Sequence, residues 1–459
     1  MRRVCWFRSD FRLTDNHMLH RVLKDMEEGD DLDFVFWLNP KYCDPFEVRH
    51  DYFFSTMRTF MDDLDAKGLG LRVLVAETEH AFVKQLGEMD VLYFNAEYVE
   101  PFKQRDDRVI KALGEEVKVV RLLDRHLFHP DAFRTKSGDP YKVFTPFKKA
   151  AYAEQPPAPY EVDVDRLSQY IRSKNEQPSE LNDLFKRCNR EWKGLGETEA
   201  KKRLTRFVND RMVDYDEKRD IPSIAGTSRL SPYLRTGVLS IRTITEQVLS
   251  ARRSKGRDTY YDELLWREFY YMVMSKFHGL KDQPFNDKYK SLEWEDNEEQ
   301  FEKWCNGETG YPIVDAAMRQ LNETGWMHNR LRMIVASFLS KHLLLDWRKG
   351  ERYFEQKLID YEAASNIGGW QWSASVGTDA VPYFRIFNPT TQSERFDPDG
   401  TFIRKYVPEL KHITDKSIHF PDPSERDNYV MPIVDHKEAR ERALERFKGL
   451  LTKKRRGAF

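Results

Sequence analysis

Short apolar runs alternate with longer amphipathic stretches over residues 1–130. Residues 4–7, 33–38, 71–75, 91–94 and 117–123 are rich in Val, Phe and Leu and stop at polar or turn residues, so they read as strands. Between them, 52–67 and 103–113 carry apolar positions at helical spacing. That alternation predicts an α/β domain over 1–130: a doubly wound parallel sheet with helices on both faces. No Gly-x-Gly-x-x-Gly follows the first strand, which removes the dinucleotide fingerprint. Residues 131–196 are irregular, and Glu154-Gln155-Pro156-Pro157-Ala158-Pro159 can continue neither a helix nor a central strand, so the stretch reads as interdomain linker. From Glu197 strand signals vanish, and 197–459 is expected to be all-helical.

Composition narrows the class. A chain of 459 residues with 40% hydrophobic and 33% charged residues is globular, with two or three folding units expected. No run reaches the ~18 apolar residues of a membrane helix. Arg8 and Asp10 interrupt the start too soon for a signal peptide. Four scattered cysteines, with no Cys-x-x-Cys pair, point to a reducing cytoplasm and to no zinc site or other metal. A net charge of −1 disfavours unselective coating of polyanions. The basic run 437–456 reads as a solvated helix and tail. Seven of the ten tryptophans fall within 266–372, at first sight an aromatic helical core.

Some segments of the helical half carry polar chemistry where a core helix should be apolar. Glu263, Trp266, Arg267 and Tyr270 stand at i, i+3, i+4 and i+7 and share one helix face. Trp326, Asn329, Arg330 and Met333 repeat the spacing. Such aromatic-plus-polar faces can wall a cavity that grips a flat ring and hydrogen-bonds its edge; solvated salt-bridge faces seldom carry Trp and Met. Thr227-Ser228-Arg229-Leu230-Ser231-Pro232 places hydroxyls and an Arg before a helix, which suits an anion such as phosphate, or an ordinary N-cap. Asn366-Ile367-Gly368-Gly369-Trp370-Gln371-Trp372 lets backbone approach a planar ligand, or is a helix junction.

These motifs resemble the photolyase/cryptochrome family. The resemblance rests on Gly310-Tyr311-Pro312-Ile313-Val314-Asp315-Ala316-Ala317-Met318-Arg319, on 325–333, on Gly368-Gly369-Trp370-Gln371-Trp372 and on Phe384-Arg385-Ile386-Phe387-Asn388-Pro389. Trp6-Phe7-Arg8-Ser9-Asp10-Phe11-Arg12-Leu13 and Tyr141-Lys142-Val143-Phe144-Thr145-Pro146-Phe147 belong to the same pattern. It covers essentially the whole chain, most densely 225–410, and is nearest the bacterial class I cyclobutane pyrimidine dimer photolyases. It implies an N-terminal antenna domain and a C-terminal helical domain holding FAD. It also implies a lyase reaction in DNA repair: under blue light, reduced FAD donates an electron to a flipped-out dimer and splits it to monomeric pyrimidines.

Carried over by position, the resemblance gives Tyr215, Thr227, Ser228, Arg229, Leu230 and Ser231 to the FAD phosphates and ribityl chain. Tyr260 stands where relatives commonly have Trp against the flavin. Asn366 would face the reactive ring nitrogen and favour the reduced forms. Arg332 and Asp360 would form an ion pair beside the ring, with Arg267, Trp326, Asn329, Tyr361 and Glu362 among the flavin contacts; Glu362 lies where relatives usually show Asp. Glu263 would also hydrogen-bond the pyrimidine carbonyls. Trp266 would stack on the lesion, with Asn329, Arg330 and Met333 completing that pocket. Arg219, Arg330, Arg385 and Gln392 would meet DNA, mainly at phosphates. Trp370, Trp347 and Trp294 match a chain that carries electrons from the surface to oxidised flavin.

Within the family, relatives that repair the other pyrimidine photoproduct place paired histidines where this chain has Asn329 and Met333, leaving His328 alone; that favours cyclobutane dimers. Only 49 residues follow Leu410, too few for a signalling tail, so a cryptochrome-type photoreceptor is the runner-up. Relatives that bind a folate antenna show Asn-Glu where this chain reads Pro101-Phe102, which leaves a second chromophore open as a deazaflavin, another flavin or none. A monomer is expected.

Overall fold

A computed structural model describes residues 1–456, with side chains to 450. The side chains of Lys453, Lys454, Arg455 and Arg456, at the end of the basic run, lie outside the described residues. Five strands, β1 (Arg2–Phe7), β2 (Asp31–Leu38), β3 (Arg72–Val75), β4 (Val91–Asn95) and β5 (Lys118–Leu122), form one sheet in the order β3-β2-β1-β4-β5. Every pairing is parallel, with Val4 opposite Asp33 on one side and Leu92 on the other. Parallel strands need crossovers, and helices His17–Asp25, Val48–Asp65, Glu79–Leu86 and Phe102–Leu113 supply them. β1 and β4 are buried almost end to end, as strands covered on both faces must be. Trp6, Leu74, Phe82, Phe94 and Val109 form a core on one face, with Trp37 stacked on Phe82 at 4.8 Å. The expected α/β domain is therefore present, strand for strand.

The chain forms two compact units. The first comprises Met1–Pro140, Lys148–Val213 and Ser228–Ser275; the second comprises Tyr141–Phe147, Asp214–Thr227 and the chain from Lys276 onward. This partition differs from the changeover of periodicity along the sequence. Helices Val164–Tyr170 and Ser179–Arg187 occur within 131–196, and helices Gly196–Asp210 and Ile241–Ser250 belong to the sheet-containing unit. Long-range contacts explain this: Glu268 accepts from Leu127 N and Phe128 N, and Arg242 pairs with Asp15 and Asp124. Periodicity reports an element's type and not its partner.

In the second unit, helices dominate. Pro312 opens Pro312–Thr324 at its first turn, and Gly325, at φ +69°, closes it in the left-handed region. Before it, Asp315 accepts from Thr309 N (2.7 Å) and Gly310 N (2.9 Å) and folds the Gly310-Tyr311 turn onto the helix. Trp304, Phe338, Leu339 and Trp347 are buried at the centre of this unit. No helix among the described residues is long and apolar enough to cross a membrane.

Candidate functional site

Helix Ala363–Ser373 carries the densest set of candidates in the second unit. Glu362 caps it: its carboxylate accepts from Ala364 N (3.0 Å), Ser365 N (2.9 Å) and Ser365 Oγ (2.8 Å), placing an acid at the positive helix end. One turn on, Asn366 Nδ2 donates to Glu351 Oε1 (3.1 Å) and to the Glu351 main-chain oxygen (3.3 Å). Asn366 Oδ1 has no donor among the described residues. Tyr361 Oη also donates to Glu351 Oε1 (3.0 Å). Burial pushes the Glu351 carboxyl up from its ordinary value, against the pull of these two donors.

Asn366 lines a cavity of about 150 Å³ together with Asn329, Arg332, Met333, Asp360, Gly369 and Trp370. Arg332 grips both oxygens of Asp360 (2.8 and 3.0 Å) and anchors its Nε on Met327 O (2.9 Å), so this wall carries a fixed, internally neutralised pair. A Cβ added to Gly369 would meet nothing within 4 Å, which leaves the helix backbone bare toward open space. Trp370 is buried, and its Nε1–H has no hydrogen-bond partner among the described residues. Its ring rests on Phe354 (5.1 Å) and Trp304 (6.0 Å), and a Cβ at Gly350 would come within 2.1 Å of it. Trp347, which opens helix Trp347–Lys357, is buried; Trp294 lies half-buried in a loop.

Trp326 departs from expectation. The helix starts at Asn329, with His328 as its cap accepting from Arg330 N, so Trp326 precedes the helix and does not share the face of Asn329, Arg330 and Met333. Arg330 is held by Asp220 (2.8 Å) over the Phe396 ring (4.4 Å), and Arg219 lies over Tyr215 (5.8 Å). Arg385 is exposed in a loop, Gln392 sits half-buried on helix Pro389–Phe396, and Thr227 is half-buried.

The first unit holds the other candidates. Arg229 takes a left-handed backbone (φ +52°) just before the short helix Ser231–Thr236, whose N-cap, Leu230, offers no side-chain acceptor. The ordinary side-chain cap weighed for this turn is therefore absent. Tyr260, buried on helix Lys255–Lys276, donates from Oη to Ser228 Oγ (3.0 Å), and Phe207 packs on its ring (4.6 Å). Glu263 and Trp266 are half-buried on the same helix, with Trp266 against Tyr270 (5.5 Å). Arg267 turns to Glu268 (3.1 Å) and His126 Nδ1 (3.3 Å). Burial pushes Glu268 up to about 7 and His126 well down, so the neutral imidazole can accept from Arg267.

Glu351, Glu268 and Asp220 escaped the sequence reading. Glu268 left a signal, a carboxyl at helical spacing within the buried stripe of Tyr261, Leu264, Leu265 and Met272. Glu351 and Asp220, each among other charged residues, left none. No group of acidic, His and Cys residues suited to a metal occurs among the described residues.

The chain is similar to known proteins along most of its length. Residues 3–163 match the family profile "DNA photolyase", and residues 260–449 match "FAD binding domain of DNA photolyase". The deoxyribodipyrimidine photo-lyase of Alkalihalophilus pseudofirmus is 45% identical over 97% of this chain and 98% of its own length. A bacterial class III photolyase from Agrobacterium tumefaciens superimposes with a TM-score of 0.89 at 33% identity, covering 98% of each chain. An archaeal photolyase from Sulfolobus tokodaii, described with two FAD molecules, does so at 0.85 and 31% identity, over 98% of this chain and 100% of that one.

Proposed function

The chain belongs to the DNA photolyase family, and on that premise we propose that it binds FAD and, under blue light, splits cyclobutane pyrimidine dimers in DNA into monomeric pyrimidines. The observation that carries the reading is the cavity on helix Ala363–Ser373, where Asn366 Oδ1, the bare backbone of Gly369 and the Arg332–Asp360 pair line one space. That donor set fits a flat ring with an N–H at its edge. FAD, bound and reduced, supplies the light-absorbing electron donor.

The chain's own residues do the rest. Asn366, fixed by Glu351, accepts at the ring edge, and Arg332 presents positive charge there without a net charge in the wall. Tyr215 and the stretch Thr227 to Ser231 hold the phosphates and ribityl chain, Ser228 being braced by Tyr260. The Glu263 carboxyl hydrogen-bonds the lesion, Trp266 stacks on the displaced base at about 1–3 kcal/mol, and Asn329 and Met333 are further lesion contacts. Arg219, Arg385 and Gln392 meet DNA phosphates; Arg330 does so while tethered to Asp220. Trp370 has no acceptor for its indole proton among the described residues, so on losing an electron it keeps the proton and the vacancy passes on to Trp347 and then to half-buried Trp294. In this reading the protein works as a monomer in the cytoplasm.

The test is to incubate reduced holoprotein with dimer-containing DNA, in light and in the dark. Dimers are expected to disappear only in the light. Full flavin loading with no light-dependent loss would overturn the repair reading and favour a photoreceptor.

A further inference from the structure

Trp294 lies in the second unit, in the loop between the short turn Asp287–Tyr289 and helix Glu298–Asn306. Its indole is half-buried and makes no hydrogen bond or ring contact among the described residues. A side chain without such anchors stands where its main chain puts it, so the contacts of its two neighbours decide its place. On one side, Glu295 N donates to Leu344 O (2.8 Å), and Glu295 bridges Leu345, two residues before Trp347. That bridge ties the main chain at Trp294 to the segment that leads into Trp347.

On the other side stands the C-terminal helix, His436–Arg456. Arg446 donates from Nη1 to Glu293 O (2.6 Å) and from Nη2 to Glu295 Oε1, so one guanidinium holds the residues before and after Trp294. The helix is fixed without that grip. Ala439, Ala443 and Phe447 are buried, Arg442 donates to His342 O (2.7 Å), and His436 Nδ1 meets His342 Nε2 (2.9 Å). Phe447 packs edge-on against Tyr289 and stacks on Tyr383, each at 5.8 Å. The helix is therefore the anchor, and the loop is what it carries. A half-exposed ion pair contributes little to stability by itself. The second bond, to the Glu293 carbonyl, neutralises no charge; it fixes main chain.

We propose that Arg446 is a positioning residue for electron transfer: it holds Trp294 as the outermost member of the tryptophan chain, in place to take an electron from a thiol in solution. The inference rests on the chain Trp370, Trp347, Trp294 proposed above. Under light, the electron that Trp370 gives to oxidised flavin is replaced from Trp347, and that of Trp347 from Trp294. A thiolate in solution returns one electron to Trp294 and leaves as a thiyl radical. One electron has then passed from thiol to flavin, and each indole ends neutral. Arg446 changes no electron count; it sets where Trp294 stands between Trp347 and solvent.

The experiment illuminates oxidised holoprotein with excess 2-mercaptoethanol, reads flavin reduction by absorbance, and follows hydrogen exchange of the Glu295 amide in the same proteins. Arg446→Glu sets a carboxylate against Glu293 O and Glu295. It should slow photoreduction by about tenfold, since a lost charged hydrogen bond carries about that factor in local opening. Arg446→Gln, which removes the charge without reversing it, should slow photoreduction by less and keeps the test open if the reversed charge prevents folding. The Glu295 amide should exchange faster in both variants, while flavin content and repair by pre-reduced protein stay at the parent level. Trp294→Phe should block photoreduction. If it reduces flavin at the parent rate, the chain ends elsewhere and the tryptophan reading falls, taking this proposal with it. Photoreduction blocked in Trp294→Phe but at the parent rate in both Arg446 variants would overturn the positioning role alone. Loss of flavin or of repair in step with photoreduction would overturn it too, leaving Arg446 an anchor of the fold.

Discussion

The cavity along Ala363–Ser373 and the cavity along Gly196–Asp210 each stand on one helix, yet they treat charge in opposite ways. In the first, Arg332 is answered by Asp360, and the buried Glu351 carboxyl is shared by Asn366 and Tyr361. In the second, Arg203, Arg206 and Lys202 share the single carboxylate of Glu199, so cations are in excess. A neutralised wall around open space selects by shape and by the hydrogen-bonding edge of its guest, whereas an uncompensated wall selects by charge. Shape should therefore be the lever on one and salt the lever on the other.

The sharpest break comes from Trp370→Phe, which should abolish photoreduction of oxidised flavin and leave repair by pre-reduced protein intact; flavin absorbance under illumination reads it, and undiminished photoreduction would remove the tryptophan chain. Gly369→Phe should lower retained flavin by about 100-fold, because a ring is forced into the cavity. Gly369→Ala should lower it far less, since its Cβ meets no protein atom within 4 Å. Equal retention by both would mean the space is not the ring's.

Next in size is a pH effect confined to the first unit. With Glu268 raised to about 7 from an ordinary 4.5, folding favours its protonated form. That contribution is complete below pH 4.5 and is lost as pH rises through about 7. Denaturation of Glu268→Gln, neutral at every pH, should therefore gain on the parent by at most about 3 kcal/mol across that window. Parallel stability curves would show that Arg267 and the backbone donors keep the carboxylate charged. The smallest effect bears on the comparison itself. Between about 50 and 200 mM salt, flavin retention should stay constant; a salt-sensitive flavin would show that charge and not shape holds it.

The sheet was legible because each buried strand is an apolar run closed by turn residues, and β1 and β4 match their expected positions to within two residues. The polar candidates were legible because Asn366, Gly369 and Trp370 keep fixed spacing along one helix. What failed was local: helical spacing continued back to Trp326, where Gly325 and the His328 cap interrupt it. What could not be read was tertiary. Asp220 finds Arg330 from 110 residues away, and Glu351 sits in a run of charged residues that gives no hint of burial. The basic cavity depends on Ser228 folding back toward Arg203, which no periodicity encodes.

The most direct measurement of the central claim is the excited-state lifetime of reduced flavin in the holoprotein, with and without DNA carrying a cyclobutane dimer. Electron donation to the lesion adds a decay route, so the lifetime should shorten at saturating damaged DNA, with monomeric pyrimidines formed in step. A lifetime unmoved by the lesion, with DNA demonstrably bound, would contradict the account.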